Sequence, residues 1–193
     1  MGALTTNIAV SNAALSLIGE PRIEIIDAST IAGRILDETY EAVVQSAIVS
    51  YRFRFALVTS SLVRLDEAPG GAFSAAYQEP SGALAVHGVF VNGAAITFDR
   101  FGSEIHCNAS VSDAVTAIIS YRAPEAAWSP MFTQGIVERL AGDLSISIQE
   151  QAGKARDFWS LAAQTLAAAA DQEAQNRTAR VMDTKQFIRA RRR

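Results

Sequence analysis

The chain is poor in the residues that most chemistry needs. Among 193 residues it has one cysteine, Cys107, two histidines, His87 and His106, and two lysines. A single thiol excludes an intrachain disulfide and any zinc site built on paired cysteines. There is no run of the roughly 18 apolar residues that a membrane-spanning helix requires. No Lys or Arg precedes the apolar residues of the first ten positions, so a secretory leader is not expected. The sequence contains no G-x-S-x-G, no H-E-x-x-H and no glycine-rich phosphate loop ending in Lys-Ser/Thr. Its carboxylates are scattered. His106 and Cys107 are neighbours on a predicted strand and point to opposite faces, so they cannot share a metal. Both histidines are read as structural, and Cys107 as a small buried apolar residue. No enzymatic activity, cofactor or metal site is expected.

What is present suits a folded body. Hydrophobic residues make up 49% of the chain and charged residues 19%, which excludes a disordered or collagen-like chain. The length allows a sizeable core without cross-links. Charge is unevenly spread. The chain has a formal net charge of −3, but residues 177–193 carry seven cations against Asp183 alone, a net +6, leaving −9 on the other 176 residues. An acidic body with a basic end points to an interaction arm.

Periodicity divides the rest. Thr5 or Thr6 can cap a first helix, with Ile8, Val10, Ala13, Ala14, Leu17 and Ile18 at helical spacing and Gly19 and Pro21 as the stop. Ile23, Ile25 and Ile26 favour a short extended piece. Ser29 is a plausible cap for a second helix with Ile31, Ile35, Tyr40, Val43, Val44, Ala47 and Ile48 on one face, ending near Ser50. From Tyr51 to Tyr121 the period becomes two. Phe53 and Phe55 alternate with Arg52 and Arg54, and Phe73, Ala75 and Tyr77 alternate as well. Val89–Val91, Asn92-Gly93 and Ala94–Phe98 read as a hairpin with a type I′ turn. Gly102 marks a turn before Glu104–Cys107, and Ala114–Tyr121 is a further strand. Ser129-Pro130 starts a third helix, striped by Phe132, Ile136, Leu140, Leu144 and Ile148 and broken at Gly153. A fourth runs from Lys154 to about Asn176, with Phe158, Leu161, Ala162, Thr165, Leu166 and Ala169 on one face and Ala167–Ala170 allowing close helix approach.

The expected fold is α+β: an antiparallel four-helix bundle with a small antiparallel sheet inserted between its second and third helices, plus an extended C-terminal arm. Its parts are 1–50, the first two helices; 51–123, the sheet; 124–176, the last two helices; and 177–193, the arm. The arm's candidate binding residues are Arg177, Arg180, Lys185, Phe187, Ile188, Arg189, Arg191, Arg192 and Arg193. They suit phosphates of a nucleic acid, an acidic protein groove, or no partner at all, as a solvated end.

The order of several segments is familiar. Asn12–Ile23 (NAALSLIGEPRI), Asp27-Ala28-Ser29 and a helix ending in Tyr51–Ala56 (YRFRFA) are followed by Ala76–Pro80, Leu84–Gly93 and Ile119–Pro124. Then come Trp128–Ser145 (WSPMFTQGIVERLAGDLS) and an Ala-rich helix. The chain resembles, over residues 7–176, the head-to-tail adaptor proteins of tailed phages and gene transfer agents, including the tail tubular protein A family. The family tends to have Trp where Tyr51 or Phe53 stands, and an acidic residue near Ser81–Gly82. The resemblance implies a non-enzymatic virion protein, made in the bacterial host cytoplasm, that forms a ring, commonly of twelve copies. It implies a portal protein above, a tail or stopper protein below, DNA passing through the lumen during ejection, and no membrane. The arm would then reach the portal. A closed ring needs two different complementary patches per subunit; the small face Ala162–Ala170 and the edges of the sheet are candidates, with core packing as the alternative. A small nucleic-acid-binding protein using the Arg-rich arm is the second expectation.

Overall fold

A computed structural model describes residues 4–67 and 69–175. Four helices flank a central block of strands: α1 (Asn7–Ile18), α2 (Ile31–Tyr51), α3 (Pro130–Gln149) and α4 (Ala152–Gln175). Thr6 caps α1, its hydroxyl accepting from Ala9 N–H at 3.2 Å, and Gly19 closes it with φ 80°. The cap of α2 is Thr30, which accepts from Gly33 N–H at 2.9 Å. The predicted cap, Ser29, is instead held by the Asp27 carboxylate. Ser129 and Pro130 open α3 as the sequence predicts. Gly153 does not end it. Glu150 closes α3 in the left-handed region at φ 55°, and Gly153 lies inside α4.

The strand block holds β1 (Leu57–Ser61), β2 (Val63–Arg64), β3 (Ala75–Gln78), β4 (Ala83–Val91), β5 (Ala94–Ile96), β6 (Phe98–Phe101), β7 (Glu104–Cys107) and β8 (Val115–Tyr121). They form two four-stranded antiparallel sheets, ordered β1-β8-β4-β5 and β2-β3-β7-β6. Tyr77 and Ala75 of β3, Ile105 and Cys107 of β7, Val89 of β4 and Val115, Ala117 and Ile119 of β8 share one core between the sheets. The Asn92-Gly93 hairpin forms as expected, with φ 49° and 83°. Asn92 also binds Asp113 and Ala114 N–H at 2.9 and 3.2 Å, tying the turn to the start of β8.

The expected four-helix bundle with a small inserted sheet does not form. First, the strands make two sheets with their own apolar core. Thr97 ends β5, and the next strand joins the other sheet, which alternation along the chain does not reveal. Second, the helices do not close a bundle. α1, α2 and α4 each pack on α3, while α2 meets α4 only slightly and α1 has no substantial face against α2 or α4. Twelve residues of α1 give about 18 Å of helix, too short to line a bundle built on the twenty residues of α3. The helical core is centred on Phe132, Ile136, Leu140 and Leu144 of α3, met by Val10, Leu15 and Ile18 of α1 and Leu36, Val44 and Ile48 of α2.

Two smaller expectations also fail. Ile23–Ile26 is not a strand; Asn12 holds Ile23 in place of a strand partner, donating to its carbonyl at 2.9 Å and accepting from its N–H at 2.8 Å. The alternation at Tyr51–Phe55 is not strand either. Tyr51 ends α2, Arg52 caps it at φ 53°, and Arg54–Ala56 is a 3₁₀ turn.

Candidate functional site

The helices and the sandwich meet at two crossings, Arg52–Ala56 and Arg122–Ser129. The first places Phe53, fully buried, and Phe55 on the N-terminal end of α3. Ring centroids lie 5.4 Å apart for Phe53–Phe55, 4.7 Å for Phe53–Phe132, 4.9 Å for Phe55–Phe132 and 4.9 Å for Trp128–Phe132. Such offset and edge-on pairs are favourable beyond the area they bury. These aromatics are core, and Arg52 and Arg54 point outward from them.

The second crossing is fixed by charge. The Arg122 guanidinium donates to Glu41 of α2 at 2.9 and 2.8 Å and to Glu125 at 2.6 Å, and lies 5.2 Å from the Trp128 ring centre. Tyr40 donates to the same Glu125 carboxylate at 3.0 Å, and the Trp128 indole donates to the Ala123 carbonyl. Burial opposes the charge on Arg122, but the bonds from Glu41 and Glu125 outweigh it and raise its pKa further. The Arg122 bond holds the Glu41 carboxyl below its usual range. Burial, then the Glu125 charge, pushes the Tyr40 phenol up, so it stays a donor. Glu41 and Arg122 are 81 positions apart, so no local spacing in the sequence reveals their pairing.

The histidines fall into separate places. His87 lies where the β4–β8 register shifts between Val86 and Gly88, and its Nε2 is 2.6 Å from the Ser120 hydroxyl. Burial and the nearby Arg52 lower its pKa. Ser120 is wholly buried, so its hydroxyl is not offered to a substrate. His106 meets Glu104 at 2.8 Å and packs against Phe101. Cys107, on the opposite face from His106, is fully buried, and burial raises its thiol pKa. Among the described residues no three His, Cys, Asp or Glu side chains converge on one point.

The surface is more informative. A groove of about 610 Å³ runs between α2 and α4 over α3, lined by small residues including Ala42, Ser46 and Ala163. Of the predicted small face on α4, Ala162, Leu166 and Ala169 are buried in the chain's own core, while Ala163, Ala167 and Ala168 are exposed. Close approach to α3 comes from glycines on α3 instead. Large apolar side chains stand exposed on both parts: Ile25 and Ile31 on the helical part, and Val63 (70%), Phe101 (56%) and Val111 (85%) on the sandwich.

The predicted arm residues Arg177, Arg180, Lys185, Phe187, Ile188, Arg189, Arg191, Arg192 and Arg193 lie outside the described residues. Gln175, the last residue of α4, is close in sequence to Glu173, which accepts from Arg54 N–H at 2.6 Å beside Leu57 and Ile118. The C-terminal end of α4 therefore lies near the junction of helices and sandwich. No protein-family model matches the chain, and no curated protein matches it in sequence.

Proposed function

We propose that this chain is a structural head-to-tail adaptor of a tailed phage or phage-like particle. It acts as one subunit of a ring, twelve copies in the reading favoured here, that joins the capsid portal to the tail or stopper and lets DNA pass. Its role is assembly, with no reaction catalysed and no cofactor bound. The observation that carries the proposal is the presence of exposed large apolar residues on both the helical part and the sandwich. A ring subunit must offer two unlike complementary patches to its neighbours and further surface to the proteins above and below. The segment order shared with adaptors supports the same reading.

Charge gives the parts their tasks. A body of net −9 repels DNA of the same sign and keeps the channel wall from gripping it. The arm, net +6, anchors on an acidic portal surface through the bidentate bonds that Arg makes to carboxylates. Imaging of particles carrying a label on this subunit tests the proposal. Density at the head–tail junction is the expected result; a label on the capsid surface or at the tail tip rejects it. Tight binding of the isolated protein to duplex DNA, falling steeply as salt rises, would favour a nucleic-acid-binding protein instead.

A further inference from the structure

Asn92 is the one asparagine of this chain with glycine after it; Asn7, Asn12, Asn108 and Asn176 precede Ile, Ala, Ala and Arg. The pair is chemically fragile. A backbone nitrogen can attack the side-chain carbonyl carbon of the asparagine before it, and glycine, having no Cβ, hinders that attack least. Both residues are exposed at the tip of the β4–β5 hairpin. The tip lies at the end of the sandwich away from the helices, because β4 pairs with Tyr121 of β8 at Ala83 and with Val115 at Val91. The structure holds the carboxamide at both ends. Its Nδ2 donates to Asp113 Oδ1 at 2.9 Å, and its Oδ1 accepts from the Ala114 N–H at 3.2 Å. The Asn92 N–H donates to the Ala114 carbonyl at 2.9 Å. Asp113 is itself fixed, accepting from the Ser110 N–H at 2.7 Å. A carboxamide anchored in this way cannot swing onto the Gly93 nitrogen without first breaking a charge-assisted bond.

We propose that Asn92 is a site of spontaneous deamidation that Asp113 guards in the folded chain. In the reaction the Gly93 backbone nitrogen bonds to Asn92 Cγ, the Cγ–Nδ2 bond breaks, and ammonia leaves with the proton given up by Gly93. Water then opens the five-membered imide at either carbonyl. One opening gives aspartate; the other gives isoaspartate, whose main chain runs through the side chain. Neither an oxidant nor an enzyme is required. Either product replaces the Nδ2 donor by a carboxylate oxygen facing Asp113, so two like charges stand where a hydrogen bond stood. Isoaspartate also lengthens the turn by one bond, which a two-residue hairpin loop does not accommodate. Modification therefore releases the hairpin from the start of β8, and refolding does not reverse it.

Peptide mapping of the full-length protein by mass spectrometry, after incubation with and without urea, tests this. Asn92 should be modified quickly in the unfolded chain, ahead of Asn12 and Asn108, and slowly in the folded one. Asp113→Ala should speed the folded-state reaction about tenfold, the gain in opening expected when one hydrogen bond to a charged group is lost. A folded Asp113→Ala chain that reacts no faster than the parent overturns the guard. An unfolded chain that leaves Asn92 intact overturns the site. Should Asp113→Ala not fold, a charge swap decides. Asn92→Asp should lower the urea midpoint, and adding Asp113→Asn should restore it by returning a donor opposite a carboxylate; no restoration overturns the guard.

Discussion

Gly142 of α3 faces the indole of Trp159 on α4 so closely that a Cβ built on it would stand 2.5 Å from Trp159 Cδ1 and 3.1 Å from the Ala155 carbonyl oxygen. One turn pair away, a Cβ on Gly135 would stand 2.6 Å from Leu166 Cγ. Between them, buried Glu138 accepts from Thr165 at 2.7 Å and from Gln134 at 2.8 Å. The α3–α4 seam is therefore set by two missing side chains and one satisfied carboxylate.

Replacing Gly142 or Gly135 by alanine should destabilise the protein. A helix interior gains about 1 kcal/mol from Gly→Ala, but overpacking costs about 1–3 kcal/mol, and backbone and ring atoms block relief at Gly142. Gly153→Ala, with nothing within 4 Å of the added carbon, should raise stability by about 0.5–1 kcal/mol. Urea midpoints of the three variants check the ordering; equal shifts in all three would contradict the close approach.

Asp143 of α3 should be a liability at neutral pH. Burial raises its pKa from the ordinary 3.8, and the Arg139 charge and the Trp159 indole, donating at 2.8 Å, only partly oppose this. A raised carboxyl penalises the folded state above its folded pKa, and the penalty vanishes as pH falls below the unfolded value. Asp143→Asn keeps an acceptor for the indole and should be more stable than the parent at pH 7, with the difference gone below pH 3.8. A variant less stable at pH 7 than the parent would refute this.

The Arg122 clasp has the opposite sign. The lowered pKa of Glu41 means its contribution is present above the unfolded carboxylate range and lost as pH falls through the folded pKa. Arg122→Ala should lower stability at pH 7 and flatten the loss seen on acidification. Parallel pH profiles for parent and variant would show that Glu41 draws nothing from Arg122.

Cys107 should resist alkylation in the native protein and react fully once urea unfolds it, because burial both hides the thiol and raises its pKa. Rapid native labelling would mean that the core between the sheets opens.

On the adaptor reading proposed above, deleting 177–193 should abolish portal binding and leave the thermal transition unchanged. Portal binding that survives the deletion would reject the arm as anchor.

Local signals in the sequence were reliable where one residue type decides the backbone. Asn92-Gly93 gave its turn, Ser129-Pro130 its helix start and Thr6 a cap, each through a contact within three residues. Signals failed where distant partners decide. The isoleucines of Ile23–Ile26 favour extension, yet the Asn12 side chain satisfies Ile23 and leaves no strand to pair. Tyr51–Phe55 alternates like a strand because aromatics that wrap a helix end also recur at short spacing. Closure of the helices into a bundle failed for a similar reason: an apolar stripe shows that a helix is packed, but not which neighbours share the packing. At the candidate surfaces, the edges of the sheet were legible as places of interest. Which strands are outermost was not, since that depends on pairing between strands distant in the sequence.

Leu57 and Ser120 stand opposite each other in the β1–β8 ladder. The chain therefore enters and leaves the whole sandwich within one interstrand spacing, about 5 Å. In terms of descent, everything between these two positions could be gained, lost or exchanged in one event, with a tight turn bridging the cut and the helices still joined in order. What a chain of this kind touches beyond its helices can thus be rewritten without redesigning the helices themselves.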